Sequence, residues 1–189
     1  MAEMTETKTE NERNRLKQGQ VQVYTGNGKG KTTASFGLAL RAAGCNMHVV
    51  IIQFMKVEGV YAEDEGIRRL GKTVEHYAFG NPGWVKKGEG TEADYAQAKA
   101  AMDKAREALA DPDVDLVILD EINNAIWFEL VTEEDVLELI KNRLPNIELV
   151  LTGRNATDAI IEAADLVTEM REIKHYYTKG MPVRRGIEF

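Results

Sequence analysis

The stretch TGNGKGKTT, residues 25–33, has the composition of a loop that binds phosphate groups. Glycines in such a loop allow positive φ angles, so backbone N–H groups can turn inward toward phosphate oxygens. Lys31 adds a positive charge, and Thr32 offers a hydroxyl to a magnesium ion. The usual pattern is a glycine, four residues and then Gly-Lys-Ser/Thr, but here the first glycine position holds Thr25. The loop is one residue short, so its contacts with phosphate must differ from those of an ordinary nucleoside triphosphatase.

Two acidic residues form the second half of this predicted site. The apolar run LVILDE, residues 116–121, ends in Asp120 and Glu121. Beside a phosphate loop, a carboxylate at a strand end holds a divalent metal directly or through water, and a second one orients a hydroxyl or a water. The candidate ligands of Mg²⁺ or Mn²⁺ are therefore Thr32, Asp120 and Glu121. The alternative is a strand-terminal Asp that caps a helix.

A parallel sheet is the element that would position these residues. Apolar runs predict strands over 21–25, 47–54, 114–121 and 147–154, with a weaker one over 73–79. Helical patterns cover 32–44, 92–110 and 156–164, and a further helix starts at Thr132. This alternation predicts an α/β fold with a mainly parallel sheet and helices on both faces, like that of P-loop (RecA-like) nucleoside triphosphatases. Such sheets bind ligands at the carboxyl ends of their strands.

The pattern also predicts how the chain is divided. Residues 1–18 are polar with few apolar anchors, so we expect a flexible arm. Residues 19–189 are predicted to form a single domain. In the helix that follows the loop, Phe36, Leu40 and Ala43 are expected on one face.

Composition excludes several classes of protein. The 189 residues carry a formal net charge of −7, which argues against a general nucleic-acid binder. No apolar run approaches the roughly 20 residues that span a bilayer, and the first residues lack a secretory signal. One cysteine, Cys45, excludes an internal disulfide and a cysteine-based zinc cluster. We expect a cytoplasmic protein with neither a nucleic-acid nor a membrane partner.

Five blocks of the sequence resemble one enzyme family. They are YTGNGKGKTTASFGLALRAAG, VVIIQFMK, LADPDVDLVILDEINNAI, LVLTGRNATDAIIEAADLVTEM and KHYYTKGMPVRRGIEF. Together they resemble the ATP:corrinoid adenosyltransferases, of the cob(I)yrinic acid a,c-diamide type with a phosphate loop. The resemblance runs from about residue 20 to the end, with the blocks in the family's order. The combination of GNGKGKTT with LDE, TGR and GIEF is specific.

The resemblance implies a reaction that explains the short loop. Family members bind ATP in the reverse direction to ordinary P-loop enzymes, so the triphosphate is the leaving group and ribose C5′ is free for attack. The nucleophile is the Co(I) of a reduced corrinoid, cobalamin or a precursor. The products are a 5′-deoxyadenosyl corrinoid and inorganic triphosphate. Lys31 and the loop amides would stabilise the charge on the departing triphosphate. No general base is required, because Co(I) carries no proton.

The resemblance also implies which residues bind each substrate. The implied ATP contacts are Asn27, Gly28, Lys29, Gly30, Lys31, Thr32, Thr33, Arg41, Glu121 and Arg154. Many members carry Gly-Phe-Thr-Trp before the long helix, where aromatic side chains help to displace the lower axial ligand of cobalt. Here the stretch reads Asn81-Pro82-Gly83-Trp84, so Trp84 is the implied corrinoid contact and Phe79 a possible substitute for the missing Phe. The alternatives are surface salt bridges for the two arginines and a small surface cluster for Trp84.

Three other functions are compatible with the same motifs. A kinase or nucleoside triphosphatase would pass the γ-phosphate to a small molecule or to water. A non-catalytic switch would use ATP to reorder the arm or the loop 80–90. A RecA-like nucleic-acid motor is disfavoured by the acidic charge and the small size. The resemblance further implies a homodimer and a flavoprotein reductant that supplies electrons.

Overall fold

Six parallel strands form one sheet in the part of the chain that this computed structural model describes, residues 15–188. They are β1 (Val21–Thr25), β2 (Val49–Phe54), β3 (Val74–Phe79), β4 (Leu116–Asp120), β5 (Glu148–Thr152) and β6 (Leu166–Glu169). The strand order is β3-β2-β4-β5-β1-β6, and every neighbouring pair is parallel. All carboxyl ends therefore meet at one edge, where the loops after β1, β2, β4 and β5 converge.

Helices cover both faces of this sheet. They are α1 (Lys31–Ala43), α2 (Ala62–Arg68), α3 (Glu92–Ala110), α4 (Ile122–Trp127), α5 (Glu133–Asn142) and α6 (Asp158–Glu162), and a 3₁₀ turn spans Tyr176–Lys179. Buried residues of α1 and α2 pack on one face of the sheet, and those of α3 to α6 pack on the other. The predicted α/β fold with a parallel sheet and helices on both faces is confirmed. Within residues 15–188, no helix has the length and apolar character needed to cross a membrane.

The predicted elements exist, with ends that differ by one or two residues. For example, the strand predicted over 47–54 begins at Val49, and the helix predicted over 92–110 has those bounds. The Thr91 hydroxyl accepts from the Asp94 N–H at its start, as expected for a capped helix. Sequence periodicity did not predict α2 and α4, because helices of seven and six residues are shorter than two turns.

The prediction for the buried face of α1 was wrong for Leu40, whereas Phe36 and Ala43 are partly buried and pack against the core. The buried side chains are those of Lys31, Ser35, Ala39 and Ala42, whereas Leu40 is 58% exposed. Small side chains at 35, 39 and 42 let the helix lie close to the sheet.

The predicted flexible arm, residues 1–18, falls mostly outside the described residues. Of its four described residues, Arg15 forms an ion pair with Asp113 at the amino-terminal side of β4. The division into an arm and one domain over 19–189 stays a prediction.

Candidate functional site

The loop between β1 and α1 is shaped by close contact with the chain that follows β6. The Gly28 N–H donates to the Met170 carbonyl at 2.6 Å, and a Cβ at Gly28 would lie 2.7 Å from that oxygen. Gly30, at the start of α1, has φ +121°, a value that side-chain-bearing residues rarely adopt. Glycine is therefore required at 28 by space and at 30 by conformation.

The loop forms one wall of a cavity of about 780 Å³ at the carboxyl edge of the sheet. Seven consecutive residues line it, 27–33. They are joined by Glu121 at the end of β4 and by Arg154 after β5. The structure thus brings together every predicted ATP contact except Arg41. That residue is exposed near the far end of α1, about 15 Å along the helix from Lys31, and it does not line the cavity.

Lys31 lies inside the loop. It is only 8% exposed, and its Nζ donates to the carbonyls of Gly26 and Gly28, both at 2.8 Å. Burial lowers the pKa of Lys31, and Glu121 and Asp120 oppose this effect. Because carbonyls rather than a carboxylate hold the ammonium, its positive charge is not neutralised within the loop and is available to an anion in the cavity.

Asp120 is fully buried behind the loop and binds four groups. Its Oδ1 accepts from the hydroxyls of Thr32, at 2.8 Å, and Thr152, at 2.7 Å. Its Oδ2 accepts from Gln53 Nε2 at 2.9 Å, and Lys56 Nζ lies 3.2 Å away. A buried carboxylate needs such compensation, because its desolvation is otherwise costly. The negative charge of Asp120 is therefore fixed beside the phosphate loop.

Glu121 turns the chain from β4 into α4. It has the left-handed φ of 64°, and its N–H donates to the Thr152 hydroxyl at 2.9 Å. Asn124 Nδ2 donates to the Glu121 carboxylate. Burial, and secondly the charge of Asp120, raise the pKa of Glu121. A nearby cation would strongly stabilise the ionised form of such a buried carboxylate.

The residues at this edge fit a divalent metal held jointly with phosphates. Thr32, Asp120 and Glu121 present only oxygen donors, which Mg²⁺ prefers. The ammonium of Lys56 already supplies positive charge to Asp120, and this carboxylate and Glu63 hold the pKa of Lys56 above its ordinary value despite burial. Within the described range 15–188, no three His, Cys, Asp or Glu side chains cluster as a metal site. Mg²⁺ commonly takes one or two carboxylates plus substrate phosphates, as these residues would allow.

A second cavity, of about 280 Å³, adjoins the first. Four residues line both cavities: Lys56, Tyr61, Glu121 and Asn124. The rest of the second lining is rich in apolar and aromatic side chains, including Phe54, Phe79, Trp84, Phe128 and Leu130. Trp84 is fully exposed. Phe79 and Trp84, the two aromatic residues predicted from the resemblance to contact a corrinoid, thus line the same cavity, separate from the phosphate loop.

Residues 175–188, here called the C-terminal strap, lie over the first cavity. Lys29 Nζ donates to the Ile187 carbonyl at 2.7 Å, and His175, Ile187 and Glu188 line the cavity. Arg184 binds the Glu188 carboxylate at 3.0 Å, and the Tyr176 hydroxyl donates to it as well. The strap therefore attaches to the phosphate loop through Lys29 and is held folded by Glu188.

Sequence reasoning missed the residues that join the two cavities. Lys56 and Asn124 lie in blocks that carry the family resemblance but were not predicted as site residues, and Tyr61 lies in none of the blocks. Gln53 and Thr152, also not predicted, bind Asp120 from neighbouring strands. One signal was present in VVIIQFMK, where a polar Gln and then a Lys end an apolar strand. Such residues at the carboxyl end of a parallel strand face the ligand edge.

Comparison with known proteins identifies relatives over most of the chain. A family model described as ATP:corrinoid adenosyltransferase BtuR/CobO/CobP matches residues 17–189. The chain is 39% identical over 158 residues to a Pseudomonas aeruginosa protein named corrinoid adenosyltransferase, covering 84% of this chain and 77% of that one. A Sinorhizobium protein of the same name is 37% identical over 160 residues, covering 84% and 74%. The Salmonella typhimurium corrinoid adenosyltransferase CobA is 34% identical over 158 residues, covering 84% and 79%. The family model spans all the elements that form the two cavities.

Replacement of Gly28 by Ala is expected to weaken ATP binding at least about tenfold, because the new Cβ would force the loop away from Met170 and misplace its amides. Isothermal titration with ATP measures the effect. Gly37→Ala is the matched control, since its Cβ in α1 would meet no atom of the described residues within 4 Å, apart from its chain neighbours and the backbone of its own helix. Equal affinities for the two variants would contradict the role of the loop.

The strap is expected to open when Glu188 loses its charge. Bonds from Arg184, and then from the Tyr176 hydroxyl, lower the pKa of Glu188 from 4.5 to about 2. A depressed carboxyl pKa stabilises the strap above about pH 4.5, and this contribution is lost as the pH falls through about 2. At pH 7, Glu188→Gln should accelerate tryptic cleavage after Arg185, whereas Glu172→Gln, at an exposed position outside the strap, should not. Unchanged cleavage in Glu188→Gln would refute this.

Proposed function

This chain belongs to the ATP:corrinoid adenosyltransferase family, and we propose that it transfers the 5′-deoxyadenosyl group of ATP to the Co(I) of a corrinoid across the wall shared by its two cavities. The observation that carries the proposal is that shared wall. A polar cavity with a phosphate loop and a smaller aromatic cavity meet at Lys56, Tyr61, Glu121 and Asn124. Transfer between two substrates needs their reacting atoms in contact, and adjacent cavities supply that proximity.

The triphosphate of ATP is proposed to occupy the loop. The amides of residues 27–33 and the amino-terminal end of α1 favour an anion there, and Lys31 adds a positive charge, its Nζ donating to the carbonyls of Gly26 and Gly28. Arg154 and Lys29 border the same cavity. These groups would bind the triphosphate more tightly as it gains charge on leaving, which lowers the barrier of the chemical step.

The nucleotide is proposed to lie in the reverse of the usual direction, with ribose C5′ toward the shared wall. In the transfer, an electron pair of Co(I) forms the cobalt–carbon bond to C5′. The bond from C5′ to the triphosphate oxygen breaks at the same time, and its electron pair leaves with the triphosphate. The site offers charge stabilisation and positioning for this step and needs no proton acceptor. The kinase, triphosphatase and switch alternatives are not favoured by the comparisons.

The corrinoid is proposed to bind at the second cavity. A corrinoid ring is broad and largely apolar on its faces, and an exposed indole with free aromatic surface suits such a ligand. Trp84, Phe79 and Phe128 provide that surface next to the shared wall. The cavity's own volume is small, so most of the macrocycle would lie outside it, against the exposed Trp84.

The divalent metal is proposed to be Mg²⁺, or Mn²⁺, held by Thr32 and Asp120 with Glu121 close by. When bound, the ion would neutralise charge on the phosphates. Its protein partners keep their orientation without it, because Thr152 and Gln53 hold Asp120 from behind. A homodimeric assembly, a flavoprotein reductant and a cytoplasmic location stay predictions.

An anaerobic assay tests the proposal. The protein is mixed with Mg²⁺, ATP and chemically reduced Co(I) corrinoid, the corrinoid spectrum is followed, and the phosphate products are separated by chromatography. We expect an adenosyl corrinoid and intact inorganic triphosphate in equal amounts. ADP or orthophosphate as the product, or no reaction, would contradict it.

The two loop lysines should differ in their effect on this reaction. Lys31→Met removes the inward ammonium and is expected to lower kcat about 100-fold or more, as loss of a transition-state charge contact does. Lys29→Met, whose Nζ binds the strap at Ile187, is expected to lower kcat less than about tenfold. Steady-state kinetics with saturating ATP compares them, and equal losses would refute the separate role of Lys31.

A further inference from the structure

A chain of polar contacts runs from Asp120 through β2 to β3. Gln53 Nε2 donates to Asp120 Oδ2 at 2.9 Å, and Gln53 Oε1 lies 2.8 Å from His76 Nε2. Beyond the ring, His76 Nδ1 is 3.8 Å from Asp64 Oδ1. Asp64 in turn accepts from the Gly59 N–H at 2.6 Å. Hydrogen bonds thus connect Asp120, Gln53 and His76, and Asp64 lies beyond hydrogen-bond distance of the imidazole.

The chemistry of these groups fixes the direction of the protons between Asp120 and His76. A carboxylate only accepts, so the amide of Gln53 must direct its NH₂ group toward Asp120. The carbonyl of the same amide then faces His76, and it too can only accept. His76 must therefore carry its proton on Nε2. Burial lowers the pKa of His76, which favours the neutral ring near pH 7.

Packing leaves these side chains little freedom. Gln53 is fully buried and stands beside Asp120 in the register of β2 and β4, and the His76 side chain is only 10% exposed. Without the donor on His76, the buried Gln53 carbonyl oxygen would lose its hydrogen bond, a cost that favours movement of the side chain away from Asp120. The Asp120 carboxylate sets the orientation of the amide, and the imidazole holds the amide in that position from its other end.

We propose that Gln53 and His76 are positioning residues for the divalent cation that accompanies ATP, since together they hold the Asp120 carboxylate in its cation-binding orientation. Neither residue lines the nucleotide cavity, and Asp120 itself lies buried behind the lining, so they act through Asp120 on Thr32, which binds Asp120 and lines the cavity. This inference rests on the proposed function in one respect, namely that a metal–ATP complex binds beside Thr32 and Asp120. Outer contacts of this kind typically change metal affinity 10- to 100-fold.

The test compares binding of ATP with and without metal, using full-length protein. Affinity for Mn²⁺–ATP is measured by water-proton relaxation, and affinity for ATP in excess EDTA by calorimetry. His76→Leu and Gln53→Glu should each weaken Mn²⁺–ATP binding about tenfold or more and leave metal-free ATP binding within about twofold. His76→Gln, whose amide can still donate to Gln53, should keep near-native affinity. His48→Leu is the control, because it removes a hydrogen bond to Glu75 at the opposite edge of the sheet.

Each outcome bears on the inference. Native Mn²⁺–ATP affinity in folded His76→Leu would overturn it, as would an equal loss of metal-free ATP binding, which would indicate general structural damage. If His76→Leu does not fold, His76→Gln is compared with the isosteric Gln53→Glu instead. Near-native Mn²⁺–ATP affinity in His76→Gln together with weaker affinity in Gln53→Glu would support the inference, and equal affinities would overturn it. Native protein that binds Mn²⁺–ATP but forms no adenosyl corrinoid would contradict the proposed function alone. Absence of Mn²⁺–ATP binding to native protein would overturn the inference.

Discussion

The buried carboxylate of Asp120 is the interaction on which the rest of this site depends. A fully buried negative charge is tolerated only when hydrogen bonds and an opposite charge surround it. Thr32 from α1, Gln53 from β2, Thr152 from β5 and the ammonium of Lys56 provide these. Since each partner comes from a different segment, the carboxylate fixes the phosphate loop, the sheet edge and the shared wall relative to one another.

The arrangement of cavities follows from that constraint. Lys56 binds Asp120 and Glu63 and lies over the Tyr61 ring, with Nζ 4.9 Å from its centre, so the shared wall is tied to the buried charge. On one side the loop amides and Lys31 suit a polyanion, and on the other side aromatic residues suit a broad apolar ligand. Group transfer from the polyanionic substrate to the apolar ligand needs proximity and charge stabilisation more than acid–base groups. This edge of the sheet supplies both the proximity and the charge stabilisation.

The sequence predicted the parts of the site that short patterns encode. Gly-Lys-Thr after a strand and Asp-Glu after another are local signals, so residues 27–33, Asp120 and Glu121 were predicted from the sequence. The structure places 27–33 and Glu121 on one cavity, with Asp120 buried behind the loop. Gln53 and Lys56 were not predicted, because their position beside Asp120 depends on the pairing of β2 with β4. These strands are far apart in the sequence, so their pairing follows from the strand order of the whole sheet. Leu40 was predicted on the buried face because it is the larger and more hydrophobic residue. Close packing of α1 on the sheet instead requires small side chains there, and Ala39 and Ala42 are buried. Arg41 was nominated by resemblance, and its position in this chain leaves it away from both cavities.

The direction of the bound nucleotide tests the central claim most directly. A crystal structure of the protein with Mg²⁺, ATP and an unreactive Co(II) corrinoid would reveal it. We expect the triphosphate on residues 27–33 and ribose C5′ at the shared wall beside Lys56 and Tyr61, facing cobalt. A γ-phosphate at that wall, with the ribose turned away as a phosphotransferase requires, would contradict it.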